Sequence, residues 1–148
     1  LAAEFKELPV SEIKILLRSP IHEERMLAIL IFVRNFKKGG DKAQKDIYDL
    51  YLKSTEYINN WDLVDVSAEH IVGAYLMNKG KRPLYRLAKS TNLWKRRIAI
   101  MATFHFVKRH EFSETLKISN LLLADRHDLI HKATGWMLRE IGKRDLET

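Results

Sequence analysis

Apolar residues recur at helical spacing along almost the whole chain. Four stripes repeat every three or four residues, and their members are Met26, Leu30, Val33 and Phe36; Val64, Ala68, Ile71 and Tyr75; Ile98, Met101 and Phe104 with His105; and Ile130, Ala133, Met137 and Ile141. The sequence has no convincing two-residue alternation and no Asn-Gly or Asp-Gly hairpin turn. The pattern therefore predicts an all-α protein.

Further helical segments lie between these stripes, near residues 10–18, 41–57, 81–90 and 113–124. Glycine, proline and polar residues break the pattern at Ser19-Pro20, Gly39-Gly40, Gly80 and His110 to Ser113. Side-chain oxygens at Ser11, Asp41 and Ser113 can accept hydrogen bonds from free amides, so we expect these residues to be helix N-caps. The sequence thus predicts eight helices in four pairs.

The helix pairs repeat along the chain. The second helix of each pair is expected to begin near residues 22, 60, 94 and 129, a spacing of about 35 residues that is typical of a helical-repeat solenoid. "HEERMLAI" at 22–29 resembles "LWKRRIAI" at 93–100 and, more loosely, "LIHKATGW" at 129–136. Each repeat in such an array buries its apolar face on its neighbours, and equivalent positions line up in space. We therefore expect Trp61, Arg97 and Trp136 to converge on a concave face.

The bulk composition fits one such array. A length of 148 residues suits a single domain over 1–148, and both ends lack the polar outer face of a capping repeat, so we expect a fragment without terminal repeats. The absence of cysteine excludes disulfides and thiolate chemistry and fits a reducing cytoplasm. A formal net charge of +7 suggests a polyanionic partner, although many soluble proteins share such a balance. No apolar run approaches the roughly 18 residues of a membrane span.

The stretch "NNWDLVD" at 59–65 places acids beside a tryptophan in this basic chain. Residues four apart on a helix are neighbours, so Trp61 and Asp65 are expected to point the same way. Asp62 points elsewhere, and an acid in a first helical turn complements the positive end of the helix dipole. For Asp65 the alternatives are an ion pair or hydrogen bond to the next helix, or a functional role.

Basic residues accompany two other features. Trp136 lies off the apolar stripe of its helix, on a face shared with Lys132, Arg139 and Lys143, which suits a surface that meets sugar and phosphate. The alternative for each tryptophan is simple core packing. "WKRR" at 94–97 begins a second helix, where amides together with Arg96 and Arg97 favour a phosphate; the alternative is a solvated basic turn.

Metal and cofactor chemistry has little support in the sequence. His127 and His131 have a metal-ligand spacing beside Asp128, but no third ligand is evident, so a metal site is not expected. No Gly-rich phosphate loop, nucleophile elbow or Ser/His/Asp arrangement is present, and we expect no cofactor.

Three segments together resemble the bacterial DNA alkylation repair family, the AlkD-like glycosylases built from HEAT-like repeats. They are "NNWDLVDVSAEHIVG", "LWKRRIAIMATF" and "KATGWMLREIGKR", and their order and spacing make the likeness specific. The resemblance implies an α–α superhelix and a DNA glycosylase that releases N3- and N7-alkylated purines, such as 3-methyladenine and 7-methylguanine.

Site residues follow from the matching motifs. The resemblance implies that Asp65 is the catalytic carboxylate, that Trp61 and Trp136 flank the sugar, and that Arg97 holds a backbone phosphate. Arg96, Lys132, Arg139 and Lys143 would add to the DNA contact. The implied partner is double-stranded DNA carrying alkylated purines, and we expect a cytoplasmic bacterial monomer that meets no membrane. The rival prediction is a non-catalytic helical-repeat scaffold that binds DNA or a protein.

Overall fold

The computed structural model describes residues 8–145, and these residues fold entirely into helices and their connections, without a strand. The α-helices are α1 (Val10–Leu17), α2 (His22–Lys38), α3 (Asp41–Lys53), α4 (Trp61–Asp65), α5 (Ala74–Leu76), α6 (Arg82–Ala88), α7 (Leu93–Ala102), α8 (Phe104–Val107), α9 (Ser113–Leu121) and α10 (Asp128–Arg144). A π-helical turn, Glu69–Gly73, leads from α4 into α5, and α8 continues α7 after Thr103. The predicted all-α class is confirmed.

These helices pack as four successive pairs within the described chain. Helix α4, the π-helical turn and α5 together form one second helix, which we call the α4–α5 rod. Helix α1 packs on α2, α3 on the α4–α5 rod, α6 on α7, and α9 on α10. The second helices also pack on one another, since α4 contacts both α2 and α7, and α7 contacts α10. The second helices begin at His22, Trp61, Leu93 and Asp128, each within one residue of the position that the repeat predicted. The predicted helical repeat of about four pairs is therefore confirmed.

The helix caps differ from the sequence prediction. Ser11, Asp41 and Ser113 were expected as N-caps, but the N-caps are Pro9, Gly40 and Phe112, and none of these donates or accepts a side-chain capping bond. The three helices begin one or two residues earlier than expected, so the predicted capping residues lie inside the first turn. There Asp41 can still complement the helix dipole.

Side-chain caps occur instead at the starts of three second helices. Asn60 Oδ1 accepts from the Trp61 amide at 2.9 Å, and Asn92 Oδ1 accepts from the Trp94 amide at 2.8 Å. His127 Nδ1 accepts from the Leu129 amide at 3.2 Å. These bonds satisfy amides that a helix start leaves free. They fix the starts of the three helices that carry the candidate site.

The predicted stripes form most of the core, with one error. Every stripe residue of α10 is buried, as are Val64, Ala68 and Ile71. Leu30, however, is 38% exposed. It lies two residues, about half a helical turn, from buried Ala28 and Phe32, so it points away from the packed face of α2.

Gly73 marks the closest approach of two second helices. A Cβ atom at this position would lie 2.2 Å from the Ala102 carbonyl oxygen and 2.8 Å from His105 Cβ. Any side chain here would push the α4–α5 rod away from α7 and α8. The contact between these rods sets the geometry of the candidate site. Within residues 8–145, none of the helices is both long and apolar enough to span a bilayer.

Candidate active site

Trp61 and Asp65 are the first and last residues of α4. The Asn60 cap orients this short helix from its first amide. The Trp61 side chain stands at the surface, because the residue is 51% exposed, whereas most large aromatic side chains in a folded protein are covered. An uncovered indole one helical turn from a carboxylate is an arrangement that core packing does not explain.

Asp65 is held by Arg97 of α7 in a two-pronged ion pair. Arg97 Nε donates to Asp65 Oδ1 at 2.9 Å, and Arg97 Nη2 donates to Asp65 Oδ2 at 2.8 Å. The third guanidinium nitrogen, Nη1, donates to the Leu129 carbonyl oxygen at 2.6 Å. One arginine thus joins α4, α7 and the first turn of α10.

The burial of Arg97 argues against its predicted phosphate contact. The residue is only 5% exposed, and each of its three guanidinium nitrogens already donates a hydrogen bond within the protein. Planar, parallel bonding of this kind is among the stronger interactions between charged groups. A phosphate would have to displace Asp65 or Leu129 to reach this side chain. An ion pair from Asp65 to the next helix, one of the alternatives raised for this residue, is present.

The side chain of Arg96 also forms hydrogen bonds within the protein and is not free at the surface. Its Nε donates to Asp125 Oδ2 at 2.6 Å, and its Nη1 donates to the Ser90 and Thr91 carbonyl oxygens at 3.2 and 3.0 Å. Burial alone would raise the pKa of Asp125, but hydrogen bonds from the His127 amide and from Arg96 hold that pKa below its usual value. Arg96 therefore ties two loops together, which argues against a direct DNA contact.

Trp136 lies partly buried on α10. Its ring meets Phe104 edge-on, with centroids 5.6 Å apart, and its Nε1 donates to Glu140 Oε1 at 3.3 Å. Hydrogen bonds from Arg144, then from Lys143 and Trp136, hold the pKa of Glu140 below its usual value. Trp136 is thus a boundary residue, packed on one side and open on the other.

The three basic neighbours of Trp136 on α10 are exposed. Lys132 pairs only with exposed Asp128, at 3.1 Å, and Lys143 pairs with Glu140 at 3.2 Å. Arg139 is exposed and has no ion pair among the described residues. The Lys132–Asp128 pair is exposed on both sides and therefore weak, and the Lys143 side chain is itself 69% exposed, so the three basic side chains remain available to an anionic partner.

Some of the predicted site residues contact one another, and others lie on helices that a single side chain joins. Asp65 and Arg97 are in direct contact, and Trp61 precedes Asp65 by one turn on the same helix. Trp136 follows Leu129, the residue whose carbonyl Arg97 holds, by about 10 Å along the α10 axis. Arg97 therefore links the helix of Trp61 to the helix of Trp136.

His22 is a contact that the sequence analysis missed. Its Nε2 donates to Asp62 Oδ2 at 2.7 Å across from α2 to α4. Asp62 was expected only to complement the helix dipole, yet it also ties two repeats together beside Trp61. Both residues lie in the first turn of a second helix, and this placement was the available signal.

The two histidines with metal-ligand spacing contact the backbone instead. His127 Nδ1 caps α10, and His131 Nε2 bonds to the Asp125 carbonyl oxygen. Over the described part of the chain, no group of three or more metal-binding side chains is close enough to hold an ion.

One of three comparisons with known proteins gives a match. A family model described as DNA alkylation repair enzyme matches residues 1–148, the full chain. No curated protein and no solved structure gives a significant match.

Proposed function

Because the chain belongs to the DNA alkylation repair enzyme family, we propose that it is a DNA glycosylase that releases purines alkylated at N3 or N7, such as 3-methyladenine and 7-methylguanine. The observation that carries the proposal is a carboxylate, Asp65, fixed by Arg97 one turn from the exposed indole of Trp61. A helical scaffold that only binds DNA could use the ion pair to join its repeats, but it has no need for an exposed indole beside the carboxylate.

The chemistry follows from the charge of the lesion. Alkylation at N3 or N7 makes the purine cationic and weakens its bond to deoxyribose. As the base leaves, positive charge develops on the sugar, as it does in glycoside hydrolysis. A carboxylate fixed in place lowers the barrier because it stabilises that charge without having to reorganise. Asp65 takes this role and orients the water that attacks the sugar.

Arg97 contributes by positioning Asp65. Each carboxylate oxygen has two lone pairs, so accepting one hydrogen bond from Arg97 leaves capacity on both oxygens. The side chain of Asp65 is 14% exposed, so part of the carboxylate remains accessible to the sugar and to water. Arg97 is therefore a positioning residue in this proposal, and the phosphate contacts are assigned to other side chains.

The indoles and the basic face of α10 bind the DNA. Trp61 and Trp136 offer electron-rich ring faces to the cationic sugar and base. Lys132, Arg139 and Lys143 supply exposed charge for backbone phosphates, which dominate the affinity of DNA-binding proteins. In this arrangement the protein grips the backbone and leaves the lesion largely outside, so only bases already primed to depart are released.

The test is incubation of the protein with methylated duplex DNA, followed by identification of the freed bases by mass. Release of 3-methyladenine or 7-methylguanine, with little or no uracil from a uracil-containing duplex, supports the proposal. Efficient release of uracil contradicts the argument from charge, because uracil in DNA is a neutral lesion that carries no positive charge to weaken its glycosidic bond. Binding of the duplex without any released base would favour the scaffold.

A further inference from the structure

A polar cavity lies one helical turn from the candidate active site and has no part in the proposed reaction. Its volume is about 330 Å³, and it opens between α2, the π-helical turn and the end of α8. The side chains that matter in its wall are Lys37, Glu69, His70, His105, Lys108 and Arg109. Glu69 follows Asp65 by one helical turn, about 6 Å along the same rod.

The charges in this cavity do not balance. Glu69 is 8% exposed, and Lys108 Nζ lies 2.8 Å from Glu69 Oε2 and 4.3 Å from the centre of the Phe104 ring. The single acid is thus matched by one lysine. Lys37 has no ion pair within the described residues, and Arg109 donates only to the His105 carbonyl oxygen, at 2.8 Å. Two positive charges therefore face the cavity without a negative partner.

Two neutral imidazoles face the same space. Burial lowers the pKa of His105 to about 4, with a further contribution from Arg109, and burial also lowers the pKa of His70. Neither ring has a hydrogen-bond partner within the described residues, since His70 Nε2 is 3.6 Å from Glu69 Oε1 and thus too far. A neutral imidazole carries one N–H donor. The cavity wall therefore offers two unsatisfied donors beside two unmatched cations.

The backbone around the cavity is held firmly. The π-helical turn begins at Glu69, and such turns occur mostly as single insertions that are frequent at functional sites. The close contact of Gly73 with Ala102 and His105 fixes the separation of the two rods. This contact consequently fixes the separation of the elements that carry the two imidazoles, the π-helical turn with His70 and α8 with His105.

We propose that this cavity binds a phosphate group, with Lys37 and Arg109 supplying charge and His70 and His105 supplying N–H donors. The carboxylate of Glu69 in the wall disfavours a second negative charge, so a singly charged phosphodiester is a better ligand than a dianionic phosphate. The source is the backbone of a duplex bound at Asp65, and this assignment of the source rests on the proposed function. A free phosphate is the other source of the same chemistry.

The experiment follows the two imidazoles by nitrogen-correlated NMR while a ligand is added. The probes are an unmodified duplex and, separately, inorganic phosphate. In parallel, duplex affinity is measured across a salt series for Lys37→Ala and Arg109→Ala, since both residues are exposed and neither change removes a core contact. Lys45→Ala is the matched control, because Lys45 is an exposed lysine on α3 whose ion-pair partner, Asp49, is also exposed.

The expected result is a shift of the His70 and His105 signals with the duplex, and a loss of about one unit of salt slope in each cavity variant but not in the control. Shifts with inorganic phosphate but not with the duplex would support the cavity site and count against the DNA-binding role. A duplex that binds without moving either imidazole signal, together with no response to inorganic phosphate, would overturn the proposal. Base release from methylated DNA is measured separately, so its failure is distinguishable from failure of this site.

Discussion

Asp65 and Arg97 are joined by two parallel hydrogen bonds that cross from one helical repeat to the next. The same arginine donates to the Leu129 carbonyl oxygen in the following repeat. Each partner is 32 residues from Arg97 along the chain, so the contact joins three successive repeats. The stacking of the array and the orientation of the candidate catalytic carboxylate therefore depend on one side chain.

Removal of the Arg97 side chain should destabilise the fold. Arg97→Ala leaves the carboxylate of Asp65 largely buried without its partner, and breaking a buried pair from one side costs about 3–5 kcal/mol. The free energy of unfolding in urea measures this loss. The salt slope of DNA binding should stay at the wild-type value, because Arg97 is not on the surface.

Arg97→Lys separates the effect of the positive charge at this position from the effect of the two parallel hydrogen bonds. Lysine keeps the positive charge but cannot form the two parallel bonds, so base release should fall even where the protein remains folded. A variant at Arg97 that keeps full stability and loses about one unit of salt slope would contradict this account and restore the phosphate contact.

The two tryptophans should respond differently to substitution. Trp61→Ala removes an exposed ring, so the free energy of unfolding should change by no more than about 0.5 kcal/mol while base release slows sharply. Trp136→Ala also removes the edge contact with Phe104, and we expect a loss of about 1–3 kcal/mol. Thermal unfolding and base release are measured on both. Full activity in Trp61→Ala would remove this indole from the site.

The basic face of α10 should carry the sequence-independent part of DNA binding. Arg139→Ala should weaken binding to every duplex to a similar extent and lower the salt slope by about one unit. Arg82→Ala is the control, because Arg82 is an exposed arginine on α6, a first helix of its pair. Equal salt slopes in the two variants would place the DNA on another face.

Stability should depend on pH through His105. Burial is the largest cause that lowers the pKa of His105 from 6.5 to about 4, and Arg109 lowers it further. His70 and Lys108 also lower this pKa, whereas Glu69 raises it. The unfolded chain therefore binds a proton that the folded protein excludes, and stability is lost as the pH falls from about 6.5 towards about 4. Above that window both states are neutral, and this contribution is constant.

The measurement is the urea midpoint of wild type and His105→Gln across this pH range. Because His105 is only half buried, we expect the change in the free energy of unfolding over this pH range to differ between the two proteins by about 1 kcal/mol. Identical pH dependence in the two proteins would show that the folded state does not exclude this proton.

The helices and their pairing could be predicted because apolar periodicity is a local property of the sequence. The caps could not, because Ser11, Asp41 and Ser113 have the right chemistry but the chain enters each helix earlier. Whether a polar residue caps a helix depends on the path of the preceding residues. The prediction that Leu30 is buried was wrong for a related reason. Apolar periodicity alone does not show which part of a stripe the neighbouring helices cover.

The sequence named Asp65, Trp61, Arg96 and Arg97 as candidate site residues, but it did not predict the ion pairs that the two arginines make within the protein. Arg96 and Arg97 lie in a basic first turn, which taken alone suggests a phosphate. Their partners lie in other repeats, at Asp125 and Asp65, and only the three-dimensional register brings them together. The cavity near Glu69 was not predicted either, because it depends on the π-helical turn and on the contact at Gly73.

The most direct test of the central claim compares Asp65→Asn with Asp62→Asn on methylated duplex DNA, with the freed bases identified by mass. Asp62 is the matched control, since it lies on the same helix and pairs with His22. Duplex affinity and circular dichroism confirm that both variants fold and bind. We predict that Asp65→Asn abolishes release of 7-methylguanine while Asp62→Asn retains it; equal release by Asp65→Asn and wild type would contradict the account.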